Sequence, residues 1–163
     1  MSLAQPAAIV KRPEVTSDAF LGGRLAIAQP AKGFRAGLDS VLLGAAVTAA
    51  SGQLLDLGAG VGTAALVALA GRSGLAATLV ESDPALAALA ADNLAANGFV
   101  ARARVLALDL TAPGRVRHAA GLAPDQYAAV IANPPYYAAG TAPAADRAAA
   151  GAGICLAMCA CRG

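Results

Sequence analysis

The sharpest feature of the hydrophobic pattern is an apolar run that breaks into alternating glycines. Leu54-Leu55-Asp56-Leu57 reads as a short strand, Gly58-Ala59-Gly60-Val61-Gly62 as a tight turn, and Thr63 onward as the opening of an Ala/Leu helix that ends at Gly71 or Gly74. A strand-turn-helix of this kind carries bare backbone N–H groups and a positive helix end toward a ligand. Three further apolar runs repeat the theme. Ala77–Glu81 is uninterrupted, as befits a parallel strand covered on both faces, and Arg104–Leu108 and Tyr127–Ala132 follow it. Between them Asp83-Pro84 starts a helix, with aspartate as cap and proline in the first turn. Leu86, Leu89 and Leu94 place an apolar face toward the sheet, and Asn97-Gly98 stops the helix. A modest helix over Pro113–Leu122 precedes the last strand.

Upstream the pattern is weaker. Residues 1–40 form an N-terminal lead-in, with a short strand or turn near Asp18–Leu25 and an edge strand over Leu25–Pro30. The loop Gly33–Ser40 leads into a helix from Val41, capped by Asp39 or Ser40, with Val41, Leu42, Ala45 and Ala46 as its apolar stripe. Phe34 and Arg35 admit two readings: a core contact and a solvated cation, or a loop closing over a bound molecule.

Strands alternating with helices across short loops call for a parallel sheet, so the fold class is α/β. Numbered from the glycine turn, right-handed crossovers give the order 3-2-1-4. That order gathers Asp56, Gly58, Gly60, Glu81, Asp109 and Asn133 at the carboxyl ends of adjacent strands, around one crevice.

Composition adjusts the picture in three places. The chain has 163 residues, enough for one domain with a real core, placed here at 1–150. Its apolar fraction of 58% is largely alanine, and its uncharged runs are short and glycine-broken, so no membrane span or signal peptide is expected and the address is cytoplasmic. The net charge of +2 is unevenly spread: acids dominate residues 56–100, and basic residues dominate both flanks. An acidic middle suits a cationic cofactor and basic flanks suit a phosphate-bearing substrate, although ordinary surface charge gives the same pattern.

Candidate chemistry lies at the strand ends. The spacing Gly58-x-Gly60-x-Gly62 with Thr63 departs from the dinucleotide fingerprint, which requires glycine at position 63. Glu81, some twenty residues beyond the turn, stands where nucleoside-binding α/β folds accept hydrogen bonds from ribose hydroxyls. Asp109 stands where a carboxylate can accept from the exocyclic amine of an adenine. The run Asn133-Pro134-Pro135-Tyr136-Tyr137 is the most specific signal. An amine conjugated to a ring is a poor nucleophile because its lone pair is delocalised. Two acceptors, the Asn133 side-chain oxygen and the Pro134 carbonyl, can hold its N–H groups and localise that pair. Pro135 stiffens the loop, and Tyr136 offers a stacking face. His118, the sole histidine, has no metal partners around it in sequence and reads as a surface residue.

These motifs resemble motif I and the Asn-Pro-Pro-Tyr motif of the class I S-adenosylmethionine-dependent methyltransferases. From Leu25 to about Arg147 the chain is similar to the bacterial tRNA (adenine-N6)-methyltransferases acting on a valine tRNA. Gln29-Pro30, Gly33–Asp39, Asp56–Gly60, Val80–Asp83 and Asn133–Tyr137 carry the likeness. The resemblance implies a Rossmann-like sheet and S-adenosylmethionine held by Asp56, Gly58, Glu81 and Asp109, with Gly37 and Asp39 from the early loop. Asn133 and Tyr136 would hold the base, tRNA would be the partner, and no metal is implied. Release-factor glutamine methyltransferases share the last motif and the glycine turn, so a peptide amide is the alternative substrate.

Beyond Arg147 the likeness stops. Residues 151–163 form an atypical tail holding Cys155, Cys159 and Cys161, an odd number at a spacing without a second zinc half-site. The expectation is a truncated chain whose later strands are missing. Strand four then has a free apolar edge, calling for a homodimer or cover by the tail. An inactive protein that binds the cofactor or RNA is the corresponding third reading.

Overall fold

The computed structural model describes residues 14–33 and 35–133. Two units of sheet are present. An antiparallel hairpin of β1 (Val15–Phe20) and β2 (Leu25–Pro30) pairs in register from Val15 opposite Pro30 to Phe20 opposite Leu25. Of the lead-in, the described residues 15–30 are therefore a hairpin, and only its second strand is legible as a strand in the sequence. The reason is β1 itself: Val-Thr-Ser-Asp-Ala-Phe is mostly exposed and shows no apolar alternation. Its partner buries Leu25, Ile27 and Gln29 on one face.

The chain then runs through α1 (Leu38–Ala45), β3 (Ser51–Leu57), α2 (Thr63–Gly71), β4 (Gly74–Glu81), α3 (Pro84–Ala96), β5 (Ala103–Ala107), α4 (Gly114–Ala119) and β6 (Ala129–Ala132). The four main strands are parallel in the order β5-β4-β3-β6, the 3-2-1-4 arrangement expected from the alternation of elements. β4 is buried along nearly its whole length, which explains its lack of polar alternation. Asp83 caps α3 as expected, its carboxylate accepting from the N–H groups of Ala85 (2.7 Å) and Leu86 (3.3 Å). Among the described residues no helix is long and apolar enough to cross a membrane.

α1 differs from expectation. It begins at Leu38 rather than Val41, Gly37 occupies the cap position, and neither Asp39 nor Ser40 makes a capping hydrogen bond. Its buried face is Ser40, Leu43 and Gly44, continued by Val47, whereas Leu42 is half exposed. The stripe is displaced because Gly44, a poor helix former, is what lets α1 meet α2. A Cβ at Gly44 would lie 2.2 Å from the Ala64 carbonyl oxygen and 2.8 Å from the Val67 Cβ. Backbone-to-backbone approach, not bulk, holds this pair together.

The basic flanks also change meaning. Arg72 donates to the carbonyls of Ala45, Val47 and Ala68, and Arg102 to those of Leu69, Arg72 and Leu75. Arg24 donates to Ala70. Three guanidiniums thus converge on the C-terminal end of α2, where carbonyls lack helical partners and negative potential gathers. Arg104 joins Thr78 to the Gly121 carbonyl, and Arg117 holds the Leu110 carbonyl. Much of the basic charge counted in the sequence closes the fold upon itself.

The Gly44 contact gives a direct test. Gly44→Ala should destabilise the protein by about 1–3 kcal/mol, the range for overpacking, even though alanine is the better helix former. Urea denaturation checks this; a stability equal to or above that of the parent would show that α1 and α2 can part without cost.

Candidate active site

The cleft forms where β3 ends and the glycine turn begins. It is lined by Asp56, Gly58, Gly60, Val61, Thr63 and Asn133, with Ala36, Ser40 and Leu43 on the side of α1, and encloses about 50 Å³. β3 lies between β4 and β6, so it sets Asp56 opposite Leu79 on one side and Ile131 on the other. Asn133 immediately follows β6 and so reaches the same cleft.

The turn itself is closed. Gly58 and Ala59 donate their N–H groups to the Val80 carbonyl (2.9 and 3.0 Å), and Gly62 donates to the Ala59 carbonyl (2.8 Å). The N–H of Gly60 is held at 2.8 Å by a Glu81 carboxylate oxygen. Four of the five N–H groups of the turn, those of Gly58, Ala59, Gly60 and Gly62, are therefore spent within the protein. Gly62 is required twice over. Its φ is +87°, and a Cβ there would meet the Leu79 side chain at 2.9 Å.

Asp56 is the electrostatic centre of the site. It is 2% exposed, and one carboxylate oxygen, Oδ2, has no hydrogen-bond partner. Burial pushes its carboxyl up to about 7, opposed by a hydrogen bond from the Ala65 N–H and reinforced by the charge of Glu81. Ala65 lies in the first turn of α2, whose cap residue Gly62 has no side chain, so Asp56 serves as a remote acceptor for that helix end. Thr63 Oγ1 and Asn133 Oδ1 are also buried without partners. Three unpartnered oxygens, each on a residue lining one cleft, mark a place prepared for donors.

The remaining sequence candidates fall in different places. Glu81 is buried at the end of β4, and its other oxygen accepts from Asp83 N–H at 2.9 Å and Ser82 Oγ at 3.3 Å. Asp109 is exposed beyond β5, where one oxygen accepts from both the N–H and the hydroxyl of Thr111, each at 2.8 Å. Those bonds lower its pKa. Asp109 and Glu81 do not line the cleft, and on the side of α1 the lining comes from Ala36 and Ser40 rather than Gly37 and Asp39. Phe34, Pro134, Tyr136 and the cysteines lie outside the described residues. Arg35 is not a solvated cation: it pairs with Asp18 and donates to Thr16 Oγ1 (2.7 Å) and the Pro30 carbonyl (3.1 Å), fastening its loop to the hairpin. The sequence reading missed Thr63 and Ser40. Thr63 had left a trace, as the residue that breaks the dinucleotide spacing.

A parallel sheet in this order, with an acid-flanked glycine turn over its first strand, defines a class I S-adenosylmethionine-dependent methyltransferase fold. The chain belongs to the methyltransferase small domain family, whose model matches residues 37–157. A tRNA1(Val) (adenine(37)-N6)-methyltransferase of Musicola paradisiaca is 31% identical over 137 residues, covering 80% of this chain and 51% of the relative. The chain thus spans about half the length of that curated relative. Among solved structures, a predicted O-methyltransferase from Agrobacterium tumefaciens superposes with a TM-score of 0.55 at 34% identity, over 60% of this chain and 49% of the other. A SAM-dependent methyltransferase from the same organism gives 0.57 at 20% identity, over 80% and 43%, a likeness of fold alone.

S-adenosylmethionine is the cofactor of this family, and the residues present fit it. Buried acceptors without donors, beside a turn most of whose N–H groups are already used, suit a ligand carrying N–H or O–H groups and positive charge better than a pyrophosphate, which calls for a row of free N–H groups.

The buried carboxyl has a measurable signature. Asp56 binds its proton more tightly in the folded protein, near pH 7, than in the unfolded chain, near 3.8, so the folded state holds more protons across that window. Unfolding free energy should therefore fall as pH rises from about 4 to about 7, by a few kcal/mol at most. Asp56→Asn should flatten that slope. Urea titrations across the window decide the matter, and identical slopes in parent and variant would place the burial elsewhere.

Proposed function

We propose that this protein transfers a methyl group from S-adenosylmethionine to the exocyclic N6 amine of an adenine in tRNA. The observation that carries the reading is the pairing, within one cleft, of two acceptors, one on β3 and one at the end of the neighbouring β6. Asp56 presents a buried oxygen without a partner at the cofactor end, and Asn133 presents another at the end of β6. S-adenosylmethionine, when bound, supplies a methyl carbon made electrophilic by a sulfonium.

The chain's own part is positioning and electrostatics. Asn133 Oδ1 accepts an N–H of the target amine, drawing its lone pair out of conjugation and aiming it along the line of attack. The Pro134 carbonyl takes the second N–H, and Tyr136 stacks against the base. Asp56 and Thr63 face the cationic end of the cofactor. Glu81 already fixes the Gly60 N–H, so the turn is preformed, and its carboxylate stands at the strand end where the ribose would lie. Gly37, Asp39 and Asp109 stand outside the cleft and, in this reading, meet the parts of the cofactor that extend beyond it. No strong base is required, because the nitrogen becomes acidic on forming its new bond. The choice of tRNA rests on the likeness to the Musicola enzyme, together with the Asn-Pro-Pro-Tyr run.

Methyl-labelled S-adenosylmethionine offered with bulk tRNA, with a release factor, or alone tests the proposal. Label should enter tRNA. Asn133→Ala should lower transfer by about 100-fold or more, the loss of a positioned polar contact in the transition state, while leaving S-adenosylhomocysteine binding within a few-fold of the parent. Label entering the release factor instead would assign the peptide amide, and cofactor binding without transfer to either would leave a binding protein.

A further inference from the structure

One side chain forms hydrogen bonds to both the hairpin and the glycine turn. Asn93, on α3, is 1% exposed, and both its polar atoms are used. Its Oδ1 accepts the Ala28 N–H at 2.8 Å, and its Nδ2 donates to the Ala28 carbonyl at 2.9 Å and to the Val61 carbonyl at 3.0 Å. Ala28 belongs to β2 and Val61 to the glycine turn. One helical turn later Asn97 repeats half of the pattern, its Oδ1 accepting the Ala26 N–H at 3.0 Å and its Nδ2 donating to the Ala26 carbonyl at 2.8 Å.

The match is metric. Positions four apart on a helix are separated by about 6 Å. Positions two apart on a strand are separated by about 6.7 Å. An Asn-x-x-x-Asn helix face therefore meets alternate peptide groups of a strand, and each side-chain amide stands in for a peptide of a missing third strand. The outer edge of β2 is satisfied by α3 in this way.

The connection continues to the opposite wall of the cleft. Gln29, 2% exposed, accepts the Ala36 N–H at 2.7 Å and donates to Asp18 at 2.7 Å. Asp18 also pairs with Arg35. Ala36 and Val61 both line the cleft. An unbroken path thus runs from the Val61 carbonyl through Asn93, β2 and Gln29 to the Ala36 N–H.

We propose that Asn93 is a positioning residue that sets the separation of the two cleft walls, coupling the glycine turn to the hairpin-borne segment that faces it. Asn97 grips the same strand but not the turn, so it anchors without coupling. The effect on ligand binding rests on the cofactor assignment made above; the coupling itself does not.

Native-state hydrogen exchange of the full chain in low urea reads the coupling without any ligand. The Ala28 and Gly62 amides should open with the same urea dependence in the parent protein. In Asn93→Ala both should lose protection together, while β4 and β5 amides stay protected. In Asn97→Ala only the hairpin should loosen. Calorimetry with S-adenosylhomocysteine should then show affinity about tenfold weaker for Asn93→Ala and within threefold for Asn97→Ala. If the alanine variant does not fold, Asn93→Ser leaves a smaller void and a hydroxyl donor, and the parent exchange data stand alone. Independent opening of Ala28 and Gly62 in the parent, or equal losses in the two alanine variants, would overturn the proposal. A parent that exchanges as expected yet fails to bind S-adenosylhomocysteine would reject the cofactor reading and leave the coupling in place.

Discussion

The carboxylate of Glu81, at the end of the second strand of the sheet, holds the glycine turn by the N–H of Gly60 and holds the start of α3 by the N–H of Asp83. Both segments are loops leaving adjacent strands, and Glu81 ties one to the other beyond the end of the strand ladder. A buried charge accepting two backbone N–H groups does so strongly, because charge-assisted bonds gain most where water is excluded. Three more N–H groups of the turn, those of Gly58, Ala59 and Gly62, go to the carbonyls of Val80 and Ala59. The helix behind the turn then begins without a cap of its own and takes Asp56 as acceptor instead. The shape and the charge of the cleft both descend from this arrangement.

A closed turn has chemical consequences. Glycine turns that hold phosphates work by leaving a row of N–H groups aimed at the anion, with a helix end behind them. Here most of the row is consumed and the helix end is already faced by the carboxyl group of Asp56. The resulting field favours cations and neutral donors over phosphate. An acid at the carboxyl end of the first strand and threonine at position 63 are the sequence marks of that change.

The sheet was legible because its strands are short apolar runs bounded by glycine, proline and aspartate, signals that act locally. The order of the strands followed from handedness. What could not be read was whatever depends on long-range pairing. β1 has no apolar alternation and exists because β2 lies beside it. α1 begins without a side-chain cap, and its buried face includes the approach of Gly44 to Ala64 rather than an apolar stripe. Asn93, in the notation of a helix face, is simply a polar residue among leucines; its purpose appears only when a strand 65 positions away is brought against it. The arginines at the end of α2 show in the sequence only as charge, for the same reason: the carbonyls they hold are distant along the chain or invisible in it. Asp56 and Asn133 were legible because they end strands, and the sheet order alone brings them to one edge.

Three buried oxygens without partners in one cleft are costly in any folded protein, on the order of 1–3 kcal/mol each. Asp56 offsets part of its share by keeping its proton up to about pH 7. Thr63 and Asn133 have no such recourse, since neither side chain can ionise near neutrality. A core apolar at those positions would fold more readily. Their cost becomes sensible if it is recovered on binding, when each oxygen meets a donor on the ligand and the cleft that holds them is already at the correct width. Preorganisation of this sort transfers the expense of ordering from the encounter to the folding of the chain. The bracing of the cleft walls by Asn93 and Gln29 follows the same logic. A pocket whose acceptors are fixed in advance needs walls that do not drift, and the hydrogen bonds that prevent drift are placed where water cannot compete for them.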